Sequence, residues 1–154
     1  MYPFKKMLCP TDFSEPADSA LQVAREMAHA MQARLILLNV VVPVAVPVAV
    51  EIPVGAAVTP EATLRQHKEQ AEEMIGALVE ALRPTGLEVQ GIVIEGDPAE
   101  AIVAAAEREK ADLIVIATHG RTGWRRLVFG SVAEKVIRHA TCPVLTIPEP
   151  RVKS

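Results

Sequence analysis

The sequence predicts an α/β protein, an open five-stranded parallel sheet with helices on both faces, and three observations lead there. Half of the 154 residues are apolar, yet the aromatics are only three Phe, one Trp and one Tyr. The core must therefore be built from Val, Ile, Leu, Ala and Met, which suits helix-covered parallel strands better than a sandwich. Short aliphatic runs without polar alternation read as strands buried on both faces, and they alternate along the chain with stretches of helical periodicity. Right-handed crossovers turn that β-α-β order into a parallel, twisted sheet.

The elements follow in order. Residues 4–9 read as the first strand, followed by Pro10, Thr11, Asp12 and Phe13. Ser14 is placed to cap a helix, and Pro16 falls in its first turn, where a missing N–H costs nothing. Ala20, Ala24, Met27 and Met31, with Leu21 and Ala28 beside them, repeat at three and four residues and mark the buried face of that helix to about residue 32. The second strand is 34–41, unbroken by alternation. Residues 42–60 are dominated by Val and Ala and carry four prolines, with Glu51 as the sole charge, so they read as a long connection, packed on the protein or a partner or lying over a ligand. Residues 60–83 form a long helix, with Thr59 as its cap and Leu64, Ala71, Ile75, Leu78 and Leu82 on the apolar side.

The third strand, 87–94, alternates early and reads as an edge strand with one face wet. Asp97 caps the next helix with Pro98 at its first position, and Ile102, Val103 and Ala106 face inward. Residues 112–116 are the fourth strand, 132–140 the last helix and 142–148 the fifth strand. Residues 1–150 are expected to be one domain and 151–154 a short tail.

Charge and composition narrow the function. A net charge of −3 and a pI near 5.8, with basic residues dispersed, argue against a nucleic-acid surface. The start lacks signal-peptide features, and the apolar run 35–50 is shorter than the roughly 18 residues of a membrane span and carries Pro43 and Pro47. A cytoplasmic protein without membrane partners is the expectation. Cys9 and Cys142 lack framework spacing and read as small buried hydrophobes. His29, His67 and His139 lie at no metal-ligand spacing.

The chemistry concentrates in 117–131, between the fourth strand and the last helix. Gly120, Gly123 and Gly130 fall there, together with Arg121, Arg125 and Arg126 and the sole tryptophan, Trp124. Glycines allow close backbone approach, and the first N–H groups of a helix have no partner within it and sit at the positive end of its dipole. The stretch therefore reads as a phosphate-binding loop. In an open parallel sheet, ligands sit beyond the carboxyl ends of the strands where the strand order reverses. If the first and fourth strands are neighbours, Pro10 to Asp12, Val40 and Val41, and Ala117 to Gly120 converge on one crevice. Asp12 also suits a capped turn, and His119 a plain turn residue.

Residues 10–14 after the first strand, Gly96-Asp97-Pro98, the run 118–123 leading to Gly130-Ser131, and 142–145 together resemble the universal stress protein family along essentially the whole chain. Nucleotide-binding members carry a glycine, two residues, a glycine, nine residues, and a glycine followed by Ser or Thr. Gly120, the stretch 121–129 and Gly130-Ser131 match, while Ala117 stands in place of the first glycine. One added methyl is tolerable there if φ is negative, as at a strand end.

The resemblance implies a Rossmann-like, adenine-nucleotide alpha-hydrolase-like fold of strand order 3-2-1-4-5, ATP as ligand, and Mg²⁺ or Mn²⁺ held through the phosphates. It places Asp12 and the backbone of Val40 near adenine, with Thr11 beside them. Pro10 and Ala117 fall near the ribose, and His119, Gly120, Arg121, Gly130, Ser131, Val132 and Ala133 near the phosphates. It also implies a homodimer through 144–147. Without the lysine of a Walker loop, or a base and carboxylate pair, the chain reads as an ATP-binding regulatory protein of stress physiology with at most slow hydrolysis. The alternatives are a dimeric stress scaffold that binds no nucleotide and, behind it, an ATP-consuming transferase or synthetase.

Overall fold

A computed structural model of the chain describes residues 2–43, 59–119 and 129–148. The order is β1 (Lys6–Pro10), α1 (Glu15–Met31), β2 (Arg34–Val41), α2 (Pro60–Leu82), a 3₁₀ turn (Arg83–Thr85), β3 (Val89–Glu95), α3 (Pro98–Glu109), β4 (Leu113–Ala117), α4 (Ser131–His139) and β5 (Val144–Ile147). All strand pairs are parallel and the sheet order is β3-β2-β1-β4-β5. The strand order reverses between β1 and β4, so their carboxyl ends border a crevice.

Why the sheet is buried on both faces is visible in its central strands. Met7, Cys9, Leu35, Leu37, Leu113 and Val115 pack with α1 and α2, through Leu21, Ala24, Ala28, Ile75 and Leu82. Leu8, Ile36, Leu38, Ile114 and Ile116 pack with α3 and α4, through Ala99, Ile102, Ala105, Ala106, Ala133 and Val136. Alternate residues of one aliphatic run thus feed two cores, so the runs show no polar alternation. Small alanines on α1 and α3 let the helices lie close to the strands. Leu64, Leu78 and Val103 are only partly buried.

Helix starts are set by side chains. Ser14, Thr59 and Asp97 each have extended backbone and accept an N–H from the first turn, at Ala17, Ala62 and Glu100, with a proline alongside in every case. Several boundaries move by one or two residues from the sequence reading: β1 begins at Lys6 and β3 at Val89, and α4 begins at Ser131. The entry of β1 is fixed by Asp112, whose carboxylate accepts the N–H groups of Lys5 (2.8 Å) and Lys6 (3.1 Å), while its own N–H donates to the Lys6 carbonyl (2.9 Å). Burial alone pushes the Cys9 thiol up to about 12, and Cys142 is half-buried; both are free thiols.

Candidate functional site

The first wall of the crevice is the turn out of β1. After Pro10 one further rung forms, from Thr11 N–H to the Leu38 carbonyl at 2.8 Å. The chain then leaves the sheet through Phe13, whose φ of 62° is in the left-handed region and carries a small strain cost. Local side chains hold this turn. The Thr11 hydroxyl oxygen accepts the Phe13 N–H (3.0 Å), and Asp12 Oδ1 accepts both the N–H of Ser14 (3.0 Å) and its hydroxyl. Asp12 therefore has the turn-building role its type suggests, at a position that also borders the crevice. From β2, the buried Asn39 amide donates to the Thr11 carbonyl at 2.8 Å.

The second wall is the end of β4 and the start of α4. Thr118 is buried and continues the sheet by donating to the Ile147 carbonyl at 3.0 Å; its hydroxyl lies 3.0 Å from His119 Nδ1. Its carbonyl accepts the Gly130 N–H at 2.6 Å, which brings the start of α4 against the end of β4. A Cβ on Gly130 would lie 3.2 Å from that carbonyl oxygen and 3.7 Å from His119 Cα, so the close approach is one that glycine permits. Among the described residues, α4 alone of the four α-helices has no side-chain hydrogen bond at its N-cap. The N–H groups of its first turn are thus available to an anion, and the helix dipole adds to the attraction.

Between these walls lies a cleft of about 680 Å³, within the size of small-molecule sites. Pro10 lines it from the end of β1 with Thr11 and Asp12 just beyond, Val40 from β2, Ala117 from the end of β4 with His119 just beyond, and Ser131, Val132 and Ala133 from α4 with their N-cap Gly130. Gly120 and Arg121, with Trp124, Arg125 and Arg126, lie outside the described residues, as does most of the proline-rich connection. Among the described residues no group of three His, Cys, Asp or Glu side chains could hold a metal ion. No described helix is long and apolar enough to cross a membrane.

The cleft has a wall the sequence reading did not foresee, formed by His67, Gln70, Ala71 and Met74 of α2. These positions recur at three and four residues and form one stripe of the helix. The Lys68–Glu95 ion pair, at 3.4 Å, sets Lys68 level with the end of β3, so the first two turns of α2 rise beyond the strand ends. A signal was present in the length of α2. Its 23 residues span about 34 Å at 1.5 Å per residue, against about 23 Å for the seven residues of β3. Asn39, set within an aliphatic run, was likewise legible as an exception but was not singled out.

Comparison with known proteins follows the same outline. The model of the universal stress protein family matches residues 3–148. A universal stress protein of Methanocaldococcus jannaschii is 34% identical over 148 residues, covering 96% of this chain and 84% of that protein. One from Thermus aquaticus is 37% identical over 145 residues, covering 94% of this chain and 98% of the other. Among solved structures, the universal stress protein UspA from Lactobacillus plantarum superposes with a TM-score of 0.79 at 26% identity, over 94% of this chain and 97% of that one. Two more distant structures share the fold at 21% and 20% identity, with TM-scores of 0.65 and 0.68. The first, from Arabidopsis thaliana, was solved with AMP bound, and the second, a universal stress protein, in complex with cAMP.

Proposed function

The chain belongs to the universal stress protein family, and from that premise we propose that it is an ATP-binding regulatory protein of the stress response. In this reading the nucleotide lies across the cleft, with its base toward Asp12 and Val40, its ribose by Pro10 and Ala117, and its phosphates at His119, Gly130, Ser131, Val132 and Ala133. Gly120 and Arg121 belong to the same proposed set. The observation that carries the reading is the start of α4. Gly130 is pressed to the Thr118 carbonyl without a side-chain cap, so first-turn N–H groups are left for an anion at the edge of the cleft.

Adenine nucleotides are the class to test first because proteins of this fold were solved with AMP or cAMP. Mg²⁺ or Mn²⁺ would enter with the phosphates and supply charge neutralisation there. Occupancy is proposed to change partner binding, with slow hydrolysis at most. A homodimer paired through β5 completes the proposal. Ala117 in place of the motif's first glycine favours a second reading, a dimeric scaffold that acts through protein contacts alone.

Calorimetric titration of ATP with Mg²⁺ into nucleotide-free protein separates the two. Micromolar or tighter binding is expected, and Gly130→Val should lose it, since its side chain meets the Thr118 carbonyl and blocks the approach to α4. A folded wild type that takes up no ATP would leave the scaffold reading.

A further inference from the structure

We propose that Asn39 is a positioning residue for the nucleotide base: by holding the Thr11 carbonyl it keeps the main chain of Val40 open toward the cleft. The inference rests on the nucleotide reading above and adds to it the device by which the sheet opens at that point.

The argument starts from the alternation of a parallel ladder, in which the backbone groups of successive residues point to opposite neighbours. On β2 the even positions face β1: Arg34 donates to the Lys5 carbonyl at 2.8 Å, and the Leu38 carbonyl accepts from Thr11 at 2.8 Å. Odd positions face β3, as shown by Leu35 donating to the Glu88 carbonyl at 2.9 Å and by the Val41 carbonyl accepting from Gly96 at 3.1 Å. Val40 therefore turns its N–H and C=O toward β1. The register pairs Pro10 with Leu38. A continued ladder would bring the Val40 N–H to the Thr11 carbonyl and the Phe13 N–H to the Val40 carbonyl.

Side chains have taken both places. The Thr11 carbonyl accepts the Asn39 amide at 2.8 Å, and the Phe13 N–H donates to the Thr11 hydroxyl oxygen at 3.0 Å. Asn39 and Thr11 are 7% and 5% exposed, so their polar groups need these bonds. The departing strand thus satisfies its own groups, and among the described residues the rung opposite Val40 is vacated on the cleft side. What remains is a main-chain donor and acceptor side by side, which suits a planar heterocycle with an acceptor and a donor on one edge. A side chain without a donor at position 39 would release the Thr11 carbonyl to close the rung onto the Val40 N–H.

Amide hydrogen exchange by NMR, paired with titrations of ATP and of inorganic tripolyphosphate, tests this in wild type and Asn39→Leu. In nucleotide-free wild type the Val40 amide should exchange freely, and in the variant at least about tenfold more slowly as the rung closes. ATP affinity should fall about tenfold in the variant while tripolyphosphate affinity, which reads only the α4 end, stays unchanged. Equal exchange at Val40 in both proteins overturns the proposal, as does an equal loss of both affinities. If the wild type binds neither probe, the nucleotide reading fails and the base-positioning role with it, while the Val40 exchange comparison still decides whether Asn39 holds the rung open. Asn39→Val, which suits a buried strand and carries no side-chain donor, repeats the comparison should the leucine variant not fold.

Discussion

Single residues in this chain act where the backbone must leave a regular pattern. Asp112 is the plainest case. One carboxylate takes two successive N–H groups at the entry to β1, and the same residue's N–H closes back on Lys6. Nothing apolar marks the position, and from sequence Asp112 read simply as the first residue of the fourth strand. Its bonds join residues 106 and 107 positions apart, and no local pattern encodes such a pairing. Asp112→Ala should lower unfolding stability by about 1–2 kcal/mol, the value of charge-assisted hydrogen bonds discounted for partial exposure. Urea denaturation measures it. An unchanged midpoint would show that water replaces the carboxylate without loss. By contrast Ser14, Thr59 and Asp97 were legible, because a cap followed by proline is a local signal whose physics needs only the next three residues.

At the scale of elements, α2 is the piece whose position matters most to the cleft and which the sequence described least. Its apolar stripe showed that it packs, and Ala71, Ile75 and Leu82 are buried as expected. Where it packs depends on β3, through Gly91. A Cβ built there would lie 2.3 Å from Ile75 Cγ2 and 3.2 Å from Val79 Cγ2, so the helix rests directly on the strand backbone. Ile75 is 3% exposed and has no room to turn aside. Gly91→Ala should therefore cost about 1–3 kcal/mol through overpacking and push α2 outward, together with the Met74 and His67 wall of the cleft. Thermal unfolding checks the first effect. A change in ligand affinity larger than that of an equally destabilising Asp112→Ala checks the second. The alternation of β3 sets Gly91 on the same face as Leu87 and Val89, but how closely the preceding helix approaches it is a matter of packing between the two elements, which no local pattern encodes.

For the whole molecule, the aliphatic runs and the β-α alternation were enough to give the class, and the sheet order 3-2-1-4-5 is the one the family resemblance implied. Both edges of that sheet, β3 and β5, leave a row of backbone groups facing outward. On β5 the identity of those groups follows from the ladder: Pro143 accepts from Ile114 and Ile147 from Thr118, so odd positions face β4 and Val144 and Thr146 face out. The proposed two-fold dimer would pair these outward groups with their copies in a second chain. Side-chain variants are a poor test, because Leu145 and Ile147 pack against the α1 side of the core and Val144 against the other. Thr146→Pro is cleaner. It deletes one outward N–H and no rung to β4, and proline is tolerated on an edge strand whose N–H faces solvent. In sedimentation the wild type should run as a dimer and the variant should shift toward monomer, with helical content and melting temperature nearly retained. A dimer that persists in the Thr146→Pro protein would remove β5 pairing from the assembly and direct the search to the helical faces, where Ile137 on α4 is 43% exposed.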